Sequence, residues 1–118
     1  MKRRVFLGST AAVAGALAGC GGDAIIKLRT SSNIGKTRER DLTEGDRLEL
    51  AVKSEDRQTT ASATVRRLST DDVVAERSDT SNQWSGTEFT VPASETYEIH
   101  LESQHGNTSQ LRLRTVEQ

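Results

Sequence analysis

Beyond residue 23 the chain alternates apolar and polar side chains with a period of two. That is the spacing of a strand with one buried and one wet face. Leu48, Leu50 and Val52 alternate with Arg47, Glu49, Ala51 and Lys53. Tyr97, Ile99, Leu101 and Ser103 share one side; Thr96, Glu98, His100 and Glu102 share the other. Leu111, Leu113 and Thr115 alternate with Arg112, Arg114 and Val116. Weaker strands are predicted over residues 24–30, 36–42, 60–68, 73–77 and 87–91. Pro92 stops the last of these, because proline has no N–H to give to a ladder. Turn residues separate the strands: Glu44-Gly45-Asp46, His105-Gly106-Asn107, and the pairs Ser81-Asn82 and Ser85-Gly86 around Trp84. Ser69-Thr70-Asp71-Asp72 offers a helix cap, but Val73-Val74 favours a strand. No segment carries sustained helical spacing. About eight short antiparallel strands predict an all-β, two-sheet β-sandwich.

The first twenty residues follow another rule. Lys2, Arg3 and Arg4 precede Val5-Phe6-Leu7, and a Gly/Ala-rich run leads to Leu17-Ala18-Gly19-Cys20. A basic start, a short apolar run and small residues make a secretory signal. From Val5 to Ala18 there are 14 residues, too few for a membrane-spanning helix, which needs roughly 20. The expected organisation is a signal over residues 1–19, an anchor and tether over 20–23, and a sandwich domain over 24–118.

Two resemblances refine the signal. Arg3-Arg4-Val5-Phe6-Leu7 resembles the Arg-Arg-x-Phe-Leu core of twin-arginine export signals, a receptor-read address rather than an anchor. Two arginines alone would serve an ordinary secretory signal; Phe6, Leu7 and the Gly/Ala-rich run favour the twin-arginine route. Leu17, Ala18, Gly19 and Cys20 resemble the lipobox of lipoproteins. The resemblance implies that Cys20 is alkylated by a diacylglyceryl-type lipid and becomes the N-terminus after cleavage. Two acyl chains hold a protein stably on a bilayer, so membrane lipid is the expected partner at the extracytoplasmic face. Gly21-Gly22 then forms a flexible tether. Cys20 is the sole cysteine, so no intrachain disulfide is available to a domain that twin-arginine export would carry already folded.

Without residues 1–19, 99 residues remain, enough for one small domain. They carry 13 basic and 17 acidic side chains, a net charge of −4. That acidity predicts no nucleic acid partner and no docking of the domain itself on anionic headgroups. Arginine outnumbers lysine ten to three in this part. Together with the export signal, this is similar to secreted proteins of salt-loving archaea; GC-rich bacteria share the arginine bias.

Residues 42–116 resemble the small β-sandwich domains of the pre-peptidase C-terminal (PPC) and GOLD-like type. The likeness rests on the Gly-Asp turn of Leu42-Thr43-Glu44-Gly45-Asp46-Arg47-Leu48-Glu49-Leu50. It rests also on Phe89-Thr90-Val91-Pro92, followed by Tyr97 at the start of an alternating strand. Glu95 stands where that family usually has glycine. The resemblance implies a jelly-roll-like sandwich used as an accessory or binding module without chemistry of its own.

Candidate chemistry is sparse. His100 falls on the wet face of its strand and His105 in a turn, with no cysteine partner for zinc. Asp71-Asp72 and Asp79 are oxygen donors, but their spacing fits no EF-hand loop. No Gly-x-Ser-x-Gly elbow or phosphate loop occurs. No catalytic, cofactor or metal site is expected. Asn107-Thr108-Ser109 is a glycosylation sequon, making Asn107 a candidate acceptor. Trp84 reads either as a core residue near a loop or as an exposed platform for a sugar or protein partner. The functional expectation is a lipid-anchored, non-enzymatic binding or accessory module with an envelope protein or glycan partner. A carbohydrate- or calcium-binding lipoprotein serving a transporter or the cell envelope is the alternative.

Overall fold

The computed structural model describes residues 24–104 and 107–116. They form β1 (Ala24–Thr30), β2 (Lys36–Leu42), β3 (Arg47–Ser54), β4 (Thr60–Arg67), β5 (Val73–Asp79), β6 (Ser85–Thr90), β7 (Glu95–Gln104) and β8 (Ser109–Thr115). There is no helix among the described residues. One sheet has the order β1-β8-β3-β6 and the other β2-β7-β4-β5. Every pairing is antiparallel.

The pairs β1–β8, β2–β7, β3–β6 and β4–β5 are nested. The chain is thus one long hairpin whose tip is the β4–β5 turn, folded so that alternate pairs fall in opposite sheets. The seams β3–β8 and β4–β7 then complete each sheet. This is the eight-strand jelly roll, as the sequence reading expected.

Period-two burial builds the core. Ile26, Leu113 and Leu50 lie in one row across β1, β8 and β3, with Leu28, Leu111 and Val52 in the next. Facing them, Ile99 pairs with Val65 and Leu101 with Ala63. All ten are buried. Tyr97 is fully buried too, and its hydroxyl donates to the Ala93 carbonyl at 2.7 Å. A buried phenol needs such a partner.

Two glycines are required by geometry. Gly45 has φ of +90° in the turn before β3, where its N–H donates to Val91 O at 2.9 Å. Gly35 has φ of +83°, and a Cβ there would collide with the Leu101 carbonyl oxygen. The crossing from β1 to β2 therefore passes directly against β7.

Three details depart from the alternation. β5 runs on to Asp79, and β6 starts at Ser85 rather than residue 87, because Ala61 and Val52 supply ladder partners. Ala51 points to the outer side of its strand, as expected, yet is only 1% exposed and stands apart from the core cluster. Neighbouring outer-face side chains must lie over it. On β2, Lys36, Arg38 and Arg40 share the side of buried Leu42 but remain exposed. Inward-turned charges on an edge strand discourage pairing with another chain, and they hold the sandwich open beside β1.

Candidate functional site

The outer face of the β1-β8-β3-β6 sheet is organised by register. Lys27, Arg112, Ala51 and Gly86 form one row across the four strands. Arg29, Gln110 and Lys53 form the next. Trp84 lies one step beyond the Val52–Ser85 pair, at the open end of that second row. Ala51 and Gly86 carry almost no side chain, and larger neighbours fill the space above them: the Glu49 carboxylate crowds the place where a Cβ on Gly86 would stand.

Trp84 is positioned by the strand before it and the strand after it. The N–H and hydroxyl of buried Ser54, at the end of β3, both donate to Ser81 O at 2.9 Å. Arg77 Nε on β5 donates to Ser85 Oγ at 2.9 Å. The short loop between these points delivers Trp84 outside the core, 37% exposed. Trp84 is therefore not part of the core cluster, contrary to the core reading.

The indole is not bare. The Arg112 guanidinium carbon stands 4.3 Å from the ring centroid and Lys53 Nζ 5.8 Å from it. Both fall within the reach of a cation–π contact. Arg112 Nε is buried with no hydrogen-bond partner among the described residues. Its Nη2 lies 3.6 Å from Glu49 Oε1, an oxygen already taken by Arg114 Nε at 2.7 Å.

Beside Trp84 opens a groove of about 510 Å³. Its floor is β1 and β8. Lys27, Arg29 and Arg112 rise from one side, and Lys36 and Arg38 reach in from β2 on the other; Gln110 completes the polar lining. No carboxylate lines it. A second depression of about 270 Å³ continues past Arg29 and Gln110 to Lys53, Glu55 and Asn82.

Several other arginines are matched to carboxylates. Arg66 meets Glu98 at 2.6 Å, Arg67 meets Glu95 at 2.7 Å, and Arg47 meets Glu88 at 2.6 Å. Ser69 Oγ, with Arg67 behind it, holds the Glu95 carboxyl below the usual carboxylate range. Among the described residues, no carboxylate forms an ion pair with Lys27, Arg29, Lys36, Arg38 or Lys53. Chain charge is acidic beyond residue 19, yet these five cations line two adjoining depressions, while Arg40 and Arg57, also without an ion pair among the described residues, lie elsewhere.

The other candidates are dispersed. Asn107 precedes β8, and its amide nitrogen donates to Asp56 Oδ2 at 2.6 Å. Asp56 also takes the Gln58 N–H at 2.9 Å and the Thr59 N–H and hydroxyl at 3.0 Å. These bonds, Gln58 first, lower its pKa. Asn107 thus ties the β3–β4 loop to the start of β8 through the same amide that a glycan would occupy. Asp71 and Asp72 sit at the start of β5 and Asp79 at its far end, so the three do not converge. His100 is engaged at both nitrogens, by Thr37 Oγ1 at 2.7 Å and Glu102 Oε2 at 3.1 Å. Arg3, Arg4, Phe6, Leu7, Leu17, Ala18, Gly19, Cys20, the Gly21-Gly22 tether and His105 lie outside the described residues.

No family model and no curated protein matches this chain. Among solved structures it is similar to the CBM22-1 xylan-binding domain of Xyn10C from Paenibacillus barcinonensis. The identity is 14% and the TM-score 0.34, over 86% of this chain and 99% of that one.

Sequence reasoning singled out Trp84 but missed its cationic neighbours. The available signal was the outward set of Lys53, Arg112 and Arg114. The pairing of β1 with β8, which adds Lys27 and Arg29, links residues some eighty positions apart and leaves no local trace.

Proposed function

We propose that this chain is a lipid-anchored, extracytoplasmic β-sandwich that acts as a non-enzymatic binding module through the groove beside Trp84. One observation carries the binding surface: an exposed tryptophan stands beside a groove lined by Lys27, Arg29, Lys36 and Arg38, none of them paired with a carboxylate among the described residues, while Arg66 and Arg67 on β4 are paired with acids. Leaving like charges together without counter-charges is unfavourable for folding alone. A ligand relieves it. The anchor reading rests on Cys20 at the end of the apolar run and on the basic pair Arg3-Arg4. Held by lipid at Cys20, the domain would stand a few residues from the membrane, presenting its groove to the envelope.

Trp84 is the only tryptophan in the chain, so its fluorescence reports on this groove without labelling. A panel of neutral and acidic oligosaccharides is titrated against the full chain carrying Cys20→Ser. Saturable change in Trp84 emission with at least one of them is the expected result. Failure of every member to bind, by fluorescence and by calorimetry, would overturn the reading of this groove as a glycan-binding surface.

A further inference from the structure

We infer that the groove takes an acidic glycan, a carboxylate- or sulfate-bearing polysaccharide laid across β1 and β8. The inference rests on the proposed binding role and narrows its ligand class.

The stack of Arg112 on Trp84 decides between a neutral and an anionic ligand. In a site for neutral sugars the aromatic face is left open for the apolar side of the sugar ring. Here Arg112 occupies one face of the indole at 4.3 Å. The contact fixes the guanidinium beside the indole, and a guanidinium suits a forked contact to a carboxylate or sulfate. Its internal demand for an acceptor is unmet: Nε has no partner among the described residues, and Glu49 is engaged by Arg114.

Strand geometry spaces the remaining charges. Lys27 and Arg29 are two residues apart on one face of β1, hence about 7 Å from each other. Arg112 lies on the adjacent strand, opposite Lys27. Lys36 and Arg38 repeat the two-residue spacing on β2, across the groove. Two short ladders of cations thus face a common space, matching a chain with anionic groups at sugar-length intervals. Gln110, between Arg29 and Lys53 in its row, offers an amide to sugar hydroxyls.

The same features weigh against the other polyanions. Duplex DNA carries one charge per roughly 1.7 Å of axis, and the net charge of −4 over residues 20–118 repels such a density outside the groove. A bilayer surface meets protruding cations more readily than cations that line a recess. A glycan chain is thin enough to enter and sparse enough in charge to be tolerated.

The test uses the full chain with Cys20→Ser at low salt. The probes are tetramers of galacturonate, hyaluronan and chondroitin sulfate, with the fully methyl-esterified galacturonate tetramer as the neutral match. Expected is binding of at least one acidic tetramer, weakening as salt rises. For a uronate ligand, the ester binds at least tenfold more weakly. Lys27→Gln with Arg29→Gln is expected to weaken binding at least tenfold at an unchanged melting temperature, while Arg57→Gln, away from the groove, leaves it intact. Equal binding of acid and ester would overturn the inference but leave the binding role standing. Absence of binding by every acidic tetramer, while a neutral sugar binds, does the same. If no sugar binds, both readings fall. Tighter binding of a thymidine oligonucleotide or of phosphatidylglycerol vesicles than of any glycan would assign the groove to that polyanion instead.

Discussion

Arg112 lies over Trp84, its guanidinium carbon 4.3 Å from the indole centroid, although Arg112 is on β8 and Trp84 precedes β6, strands that do not pair. β3 runs between them, and its Ala51, the register partner of Arg112, is buried on the outer side of the sheet. A side chain larger than methyl at position 51 would push them apart. Trp84→Ala therefore removes a cation–π contact and uncovers Ala51. The expected loss of stability is about 1 kcal/mol, measured by urea denaturation followed by circular dichroism. Glycan binding should fall much further than stability, because Arg112 loses the plane that orients it. Full retention of binding would show that the indole has no part in the site.

Gly35 and Gly45 have similar backbone angles but different surroundings, and this separates conformational strain from collision. Gly45 has nothing within 4 Å of an added Cβ, whereas at Gly35 that atom would meet the Leu101 carbonyl oxygen. Gly45→Ala is expected to lose about 1–2 kcal/mol, the strain of a left-handed alanine. Gly35→Ala is expected to lose a further 1–3 kcal/mol, roughly the cost of overpacking. Denaturant midpoints of the two variants check the order. Equal losses would mean that the β1–β2 crossing yields without penalty.

Acid should weaken the fold. The Glu95 carboxyl is held low by Ser69 and then Arg67, that of Asp56 by Gln58 and Thr59, and that of Asp79 by Ser85 and then the Thr80 N–H. A carboxyl whose folded pKa is depressed takes up protons first in the unfolded chain. Its stabilisation is complete above the unfolded value, near pH 4, and is lost as pH falls through the folded value. Asp46 acts in the opposite sense, since burial raises its pKa. With three groups against one, the melting temperature should hold from pH 7 to about 5 and decline below about 4. Asp56→Asn should make that decline shallower. A melt unchanged down to pH 3 would count against these bonds.

The anchor and the route separate cleanly in cells. Cys20→Ser is expected to move the protein from the membrane fraction to the soluble fraction, read by fractionation and immunoblot. Continued membrane retention would mean that Cys20 is not the anchor. Arg3→Lys with Arg4→Lys is expected to leave unprocessed precursor inside the cell. Normal export of that variant would point to the ordinary secretory route.

Alternation along β3, β7 and β8 revealed which side chains are buried, because a strand's two faces are set by residue parity alone. Tyr97, Ile99 and Leu101 are inside, and Glu98 and His100 outside, as their positions require. The turn at Gly45 and the loop at Ser81-Asn82 were legible for a similar local reason, whereas Ser85-Gly86, expected as a turn pair, opens β6. Strand ends were less so. β6 begins two residues early because Ser85 finds Val52 as its partner, and the partner is distant in sequence.

The candidate site divides along the same line. The sequence by itself determined the strands, their buried faces, the expectation of a two-sheet sandwich and the prominence of Trp84, all of which follow from parity, turn chemistry and composition. Only the tertiary structure decided that β8 lies between β1 and β3, which gathers Lys27, Arg29, Arg112 and Lys53 on one face. Net charge concealed this, since it sums over the surface while a ligand meets only one part of it. Strand order arises from how the nested hairpin folds over its core, a global packing choice that no short stretch of sequence encodes.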